Sequence, residues 1–201
     1  MKKVIFNKKE IFPTKIVCVG RNFVEHIKEL ENEIPDDIVL FIKPNSAISE
    51  NIHKPQKKCR YEGEISFIIE NEKIVGVGFG IDLTLVEEQE IAKKKGLPWE
   101  KAKAFDRSAV FSEFVPVDDV EKISMELYIN GTLKQKGDIS LMIFKPYEIL
   151  EKIKEYFSLE DGDIIMTGTP KGVGYFEKGQ IFRGIIKKAD KIIVDKIWTV
   201  L

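Results

Sequence analysis

The sequence predicts an α+β protein: a mixed, curved β-sheet system with a few helices packed outside it. Three observations lead there. Runs with strand character outnumber helical ones. The two kinds do not alternate regularly, which disfavours a doubly wound sheet or a barrel of β/α units. Asn130-Gly131, following the alternating Met125, Leu127 and Ile129, marks the tight turn of an antiparallel hairpin. No internal repeat and no low-complexity segment interrupts the chain.

Taken in order, residues 4–6 form a short apolar strand, and 15–20 alternates apolar residues up to Gly20. Arg21-Asn22 is a turn in which Asn22 suits a helix N-cap. A helix over 23–31 then places Phe23, Ile27 and Leu30 on one face. Residues 32–37 are polar, contain Pro35 and read as a connector. An apolar strand covers 38–42 and stops at Lys43-Pro44-Asn45-Ser46, and 48–55 is irregular. Strands over 65–69 and 74–81 pair with each other. A helix over 85–95 ends at Gly96, and Pro98 starts a short helical piece reaching Ala104. Met125, Leu127 and Ile129 lead into the hairpin, with 133–136 returning. Pro146 opens a helix with Ile149, Leu150, Ile153, Tyr156 and Phe157 inward. A turn at Asp161-Gly162, a buried strand over 163–166, a Gly-rich loop over 167–174, and strands near 180–186 and 192–200 complete the chain.

The chemistry centres on Tyr61-Glu62-Gly63-Glu64. On a strand, residues i and i+2 share a face, so Glu62 and Glu64 point the same way. Unpaired, they repel by about 2–3 kcal/mol at roughly 6–7 Å and an effective dielectric of about 20. A cation would neutralise them, and oxygen-only donors suit a hard ion such as Mg²⁺, Mn²⁺ or Ca²⁺. Asp82, ending the next apolar run, supplies a third carboxylate. Glu-x-Glu is equally at home on the solvated face of a strand, so only convergence of other groups separates the two readings.

Other candidates are sparse. His26 and Glu29 stand three apart and share a helix face. A carboxylate fixes the tautomer of a neighbouring imidazole and strengthens it as a general base; the plain alternative is a surface pair worth about 0.2–0.5 kcal/mol. His53 is the other histidine in the chain. The loop Thr167-Gly168-Thr169-Pro170-Lys171-Gly172-Val173-Gly174 offers N–H groups and hydroxyls to a carboxylate or phosphate, or is an ordinary turn. It is no P-loop, and Gly76-Val77-Gly78-Phe79-Gly80 completes no dinucleotide fingerprint; those glycines suit close strand packing. Lys103, among alanines and Phe105, either faces an anion or snorkels to the surface.

Bulk properties set the frame. At 201 residues the chain is long enough for a full core. With 43% hydrophobic and 32% charged residues it reads as a globular protein. A net charge of −1 leaves no basic footprint for nucleic acid. The two cysteines, Cys18 and Cys59, form no Cys-x-x-Cys pair, which leaves zinc and redox motifs unsupported. No apolar run suits a signal peptide or a membrane span, so a cytoplasmic enzyme or binding protein is expected, with no membrane partner.

Together the segments resemble the fumarylacetoacetate hydrolase family, in its catalytic domain and nearest its acylpyruvase and oxaloacetate decarboxylase or tautomerase branch. The resemblance rests on Val17-Cys18-Val19-Gly20-Arg21-Asn22-Phe23 with His26, on Phe41-Ile42-Lys43-Pro44, and on Tyr61-Glu62-Gly63-Glu64 with Asp82. Gly96-Leu97-Pro98-Trp99, Lys103-Ala104-Phe105-Asp106, Asn130-Gly131 and the stretch 163–174 extend it. It implies a mixed β-sandwich or roll with peripheral helices, a homodimer, and one catalytic domain over 1–201. Residues 1–50 would form a small N-terminal part whose helix closes as a lid. It also implies Glu62, Glu64 and Asp82 as ligands of Mg²⁺ or Mn²⁺, and His26 and Glu29 as a water-activating dyad. Lys103 would face the substrate's oxygens. Arg21, Gln89, Gly168 and Thr169 would contact the substrate, a small 2-oxo or 1,3-dicarbonyl acid. In one respect the chain departs from the branch: Val86 stands where an arginine is usual, and valine cannot bind a carboxylate bidentately.

The function expected from this set is metal-dependent hydrolysis of a carbon–carbon bond in an acylpyruvate-type acid. The alternatives are decarboxylation of oxaloacetate or keto–enol tautomerisation of a 2-oxo acid, and then a non-catalytic binding protein stabilised by its metal.

Overall fold

The computed structural model describes residues 1–29 and 35–201. It opens with the hairpin β1 (Val4–Phe6) and β2 (Lys9–Ile11). β3 (Lys15–Gly20) has the predicted bounds, and α1 (Val24–Glu29) follows. Phe23 does not begin that helix but bridges to Met142. The predicted end of the helix, including Leu30, and the start of the connector lie outside the described residues. β4 (Val39–Pro44) and β5 (Ile48–Ser49) lead into the two longest strands, β6 (Cys59–Glu70) and β7 (Lys73–Leu85). Both overrun the predicted runs because they pair antiparallel along almost their full length. α2 (Val86–Lys95) ends on Gly96 at φ +62°, as the terminal glycine predicts, and α3 (Glu100–Lys103) is a single turn.

The second half holds β8 (Ala109–Phe111), β9 (Val115–Pro116), β10 (Ile123–Ile129) and β11 (Thr132–Asp138). Asn130 and Gly131 both have positive φ, the geometry a two-residue hairpin turn needs. α4 (Pro146–Lys154) buries Ile149, Leu150 and Ile153, but it stops before Tyr156, which is exposed rather than inward. β12 (Ile164–Met166), β13 (Gly174–Tyr175), β14 (Ile181–Lys188) and β15 (Lys191–Thr199) close the fold.

Among the described residues these strands make a nine-stranded mixed sheet, a four-stranded antiparallel sheet and the β1–β2 ribbon. In the large sheet the order is β4-β3-β12-β6-β7-β8-β5, with β13 beside β6 and β9 beside β7. The four-stranded sheet, β11-β10-β14-β15, lies over β6 and β7. Alternation along β6 explains the layering. Tyr61, Ile65 and Phe67 join Phe79, Ile81 and Leu83 of β7 against Leu127, Phe182 and Trp198 of the second sheet. Gly184 permits the approach, since a Cβ there would stand 2.5 Å from the Phe79 ring. Truncating a fully enclosed ring such as Phe79 or Phe182 costs about 3–5 kcal/mol. The other face of β6 presents Arg60, Glu62 and Glu64. An apolar core, a helical flank formed by α4 and this polar strip thus share one strand pair. This is the mixed sandwich expected.

Candidate active site

Glu62 lies directly across from Asp82, and Glu64 across from Gly80. The two glutamates are not at the edge of an apolar strand, as the sequence suggested, but inside a twelve-residue one. All three carboxylates are buried, and each offers an oxygen within 4.8 Å of the others. Lys103, from α3, donates to Glu62 Oε2 at 2.8 Å, Asp82 Oδ2 at 2.7 Å and Thr84 Oγ1 at 2.6 Å. Lys43 Nζ stands 2.8 Å from Asp82 Oδ1, yet that oxygen accepts no aligned hydrogen bond. Lys43 instead donates to the carbonyl oxygens of Lys103 and Ser108 and to Ser108 Oγ.

The charges are unevenly compensated. Burial pushes the Glu62 carboxyl up, but Lys103 and Arg60 outweigh it and hold the group below the usual carboxylate range. Burial pulls the Lys103 ammonium down, and Asp82 and Glu62 more than restore it. Glu64 has no such partner. Burial and then the charges of Asp82 and Glu62 hold its carboxyl well above the usual range, against a single amide bond from Gly168 at 2.8 Å. A buried carboxylate so placed is one that a nearby cation would stabilise. Three oxygen donors with one under-compensated member and one unaligned oxygen fit a hard divalent ion.

Across the same cavity stands His26, nearly buried on α1. Its Nδ1 lies 3.0 Å from Glu29 Oε2. Glu29 also accepts from the Gly172 amide, which ties α1 to the 167–174 loop. His53 stands apart, beside Arg107. Asn22 is not an N-cap. Its side chain donates to the Phe144 and Thr167 carbonyls and accepts from the Phe144 amide.

Of the remaining predicted residues, Arg21, Gln89, Lys103 and Thr169 line the cavity. Arg21 holds φ +57° and buries Nε without a hydrogen-bond partner. Thr169 Oγ1 is committed to the fold, accepting from Gln135 and donating to the Gly63 carbonyl. Gly168 has φ +93° and turns its amide to Glu64. Sequence reasoning missed Arg60, Lys43 and Gln135. Arg60 was within reach, because it sits two residues before Glu62 on the same strand face. Lys43, fully buried, read as a strand stop, and nothing local marked it otherwise. Cys18 and Cys59 are free and buried, and burial pushes the Cys59 thiol up to about 12, so neither suits nucleophilic work.

A mixed sandwich carrying a buried three-carboxylate pocket with a histidine dyad across it has the build of a metal-assisted enzyme. The family profile described as fumarylacetoacetate (FAA) hydrolase C-terminal matches residues 15–195, and the chain belongs to that family. It is 36% identical over 187 residues to the oxaloacetate tautomerase YcgM of Escherichia coli K12, covering 83% of this chain and 85% of the relative. It is 34% identical over 189 residues to the mitochondrial oxaloacetate decarboxylase of Dictyostelium discoideum, covering 84% and 87%. The crystal structure of the Pseudomonas aeruginosa fumarylpyruvate hydrolase with Mn²⁺ and pyruvate superposes with a TM-score of 0.88 at 26% identity, covering 100% of this chain and 95% of that one. No helix among the described residues is long and apolar enough to cross a membrane.

Proposed function

We propose that this chain interconverts the keto and enol forms of a four-carbon 2-oxo dicarboxylate such as oxaloacetate, with decarboxylation of the same substrate as a companion reaction. The observation that carries this reading is the convergence of the Glu62–Glu64–Asp82 triad and of His26, held from behind by Glu29, on one cavity. The relatives named for oxaloacetate support the choice of substrate over the acylpyruvate hydrolysis expected first.

Glu62, Glu64 and Asp82 would hold Mg²⁺ or Mn²⁺, and when bound that ion supplies Lewis-acid polarisation of the 2-oxo group. The protein does the rest. Glu29 engages His26 Nδ1, so Nε2 is the ring nitrogen left for proton transfer. His26 takes a proton from C3, and the resulting imidazolium returns that proton to the 2-oxo oxygen, completing the enol and regenerating the neutral ring. Lys103 adds a fixed positive charge to the pocket in which that oxygen gains negative charge. Arg21 supplies a donor for the substrate's first carboxylate.

Carbon–carbon hydrolysis is the second reading, favoured by the likeness to the fumarylpyruvate hydrolase. There the same dyad would deprotonate water. Oxaloacetate with Mg²⁺ or Mn²⁺ separates the readings. Loss of enol absorbance without pyruvate supports tautomerisation, and pyruvate with CO₂ supports decarboxylation. Cleavage of an acylpyruvate with no effect on oxaloacetate overturns the proposal in favour of hydrolysis. Turnover that persists in EDTA removes the metal from either scheme.

A further inference from the structure

Arg60 is a buried cation aimed into the pocket from the strand that carries two of its carboxylates. The residue is 9% exposed. Nε donates to Glu62 Oε1 at 3.2 Å, and Nη2 donates to the same oxygen at 3.0 Å and to Gln89 Oε1 at 3.0 Å. Those bonds hold the guanidinium plane between β6 and α2. Nη1 donates to no side chain or carbonyl among the described residues, so part of the fork remains for a ligand.

The surroundings point to an anionic one. Arg21 and Lys93 line the same cavity. Burial, and then Arg21 and Arg60, lower the Lys93 ammonium, as expected where three cations share a wall. The cavity lining sets three carboxylates against Arg21, Arg60, Lys93 and Lys103. Lys93 has an interaction of its own, so with a divalent ion on the triad the other three cations leave this lining in positive excess by two charges. A monocarboxylate offsets one of them and a dicarboxylate two. Val86, buried at the start of α2, brings no charge. Gln89, one turn further along that helix, instead grips the arginine of the neighbouring strand.

We propose that Arg60 is the specificity residue for the far carboxylate of a 2-oxo dicarboxylate, with Gln89 as the positioning residue that aims it. Arg60 lines the cavity and bonds Glu62, so its guanidinium stands beside the triad, within reach of a ligand seated there. The inference rests on the 2-oxo acid reading above, and it narrows the substrate to dianions.

Calorimetry on the Mn²⁺-loaded protein tests it with two ligands. One is the 2-hydroxy analogue of a four-carbon 2-oxo dicarboxylate, which neither enolises nor loses CO₂. The other is its monoester at the far carboxylate. The wild type is expected to bind the diacid at least about tenfold more tightly, the size of one charge-assisted hydrogen bond. Arg60→Gln should bring that ratio close to one. Arg60→Lys keeps the charge beside Glu62 and so the fold; it should lose most of the ratio, since an ammonium lacks the planar fork. A wild-type ratio near one overturns the proposal. So does a wild-type-like ratio in Arg60→Lys, or an equal loss for both ligands, which would mean that Arg60 only neutralises Glu62. Enol absorbance with oxaloacetate is read separately. Discrimination without turnover keeps Arg60 and removes the reaction, and turnover without discrimination does the reverse.

Discussion

Glu64 is the residue on which the pocket's charge balance depends. Its neighbours on the strip, Glu62 and Asp82, have Lys103 between them, while Glu64 has a single amide. Glu64→Ala should therefore abolish Mn²⁺ binding by calorimetry together with turnover; an unchanged isotherm would show that the ion sits elsewhere. His26→Ala makes a contrasting case. The imidazole touches none of the three carboxylates by hydrogen bond, so Mn²⁺ affinity should stay within about threefold while kcat falls by about 10²–10⁴, the usual worth of a general base. A fully active His26→Ala variant would remove the dyad from the mechanism. Residue type and spacing raised both as candidates, and the family resemblance gave them these roles. Lys103 and Arg21 were also named, but part of the cationic side was missed. Arg60 and Lys43 are ordinary polar residues in the sequence, and only packing tells a buried lysine from a solvated one.

At the scale of elements, the 167–174 loop joins the parts of the site. It leaves β12 through Thr167, whose carbonyl accepts from Asn22, and then turns at Gly168. A Cβ on Gly168 would meet Asn22 Cβ at 3.0 Å and the Val19 carbonyl at 3.1 Å, in a backbone region that disfavours side chains. Gly168→Ala should cost about 1–3 kcal/mol by that strain. It should also weaken Mn²⁺ binding, because the amide that holds Glu64 moves. Denaturant melts and a metal titration on the same sample check both, and a variant as stable and as tight as wild type would refute the coupling. Glycine and proline marked this segment as a loop from the sequence. They did not say that its amide would reach a strand about a hundred residues earlier. The Asn22 assignment failed for a related reason: the side chain suits a cap locally, but two carbonyls and an amide from distant loops satisfy it better.

Across the whole molecule, Asp163 ties the first strands to the last third of the chain. Its carboxylate accepts from the Thr14 hydroxyl, the Thr14, Lys15 and Glu160 amides, and Lys15 Nζ at 2.5 Å. Burial pushes this carboxyl up, but Lys15, the Glu160 amide and Thr14 outweigh it, so the net direction is down. A carboxyl depressed in the folded state stabilises above its unfolded value and loses that contribution as pH falls through the folded one. Asp163→Asn should thus lower stability at neutral pH by about 3 kcal/mol, as when one partner of a buried pair is removed. The gap to wild type should close as pH drops below the ordinary aspartate range. Parallel melts across that range measure it, and a pH-independent gap would mean that shape, not charge, holds the joint.

The sequence by itself determined the alternating strands, the hairpin at Asn130-Gly131, the helix stop at Gly96 and the shared face of Glu62 and Glu64. Each is a local matter, set by backbone preference and by the two-residue period of a strand. It also carried enough ordered motifs to indicate the family. Tertiary structure alone decided that β6 and β7 run long enough to bury the acidic strip, that Lys103 closes between Glu62 and Asp82, and that Arg60 shares their wall. Those facts depend on which segments meet. Burial removes water's screening, and a charge's partners are then whatever the fold places within a few ångströms, however distant in the chain.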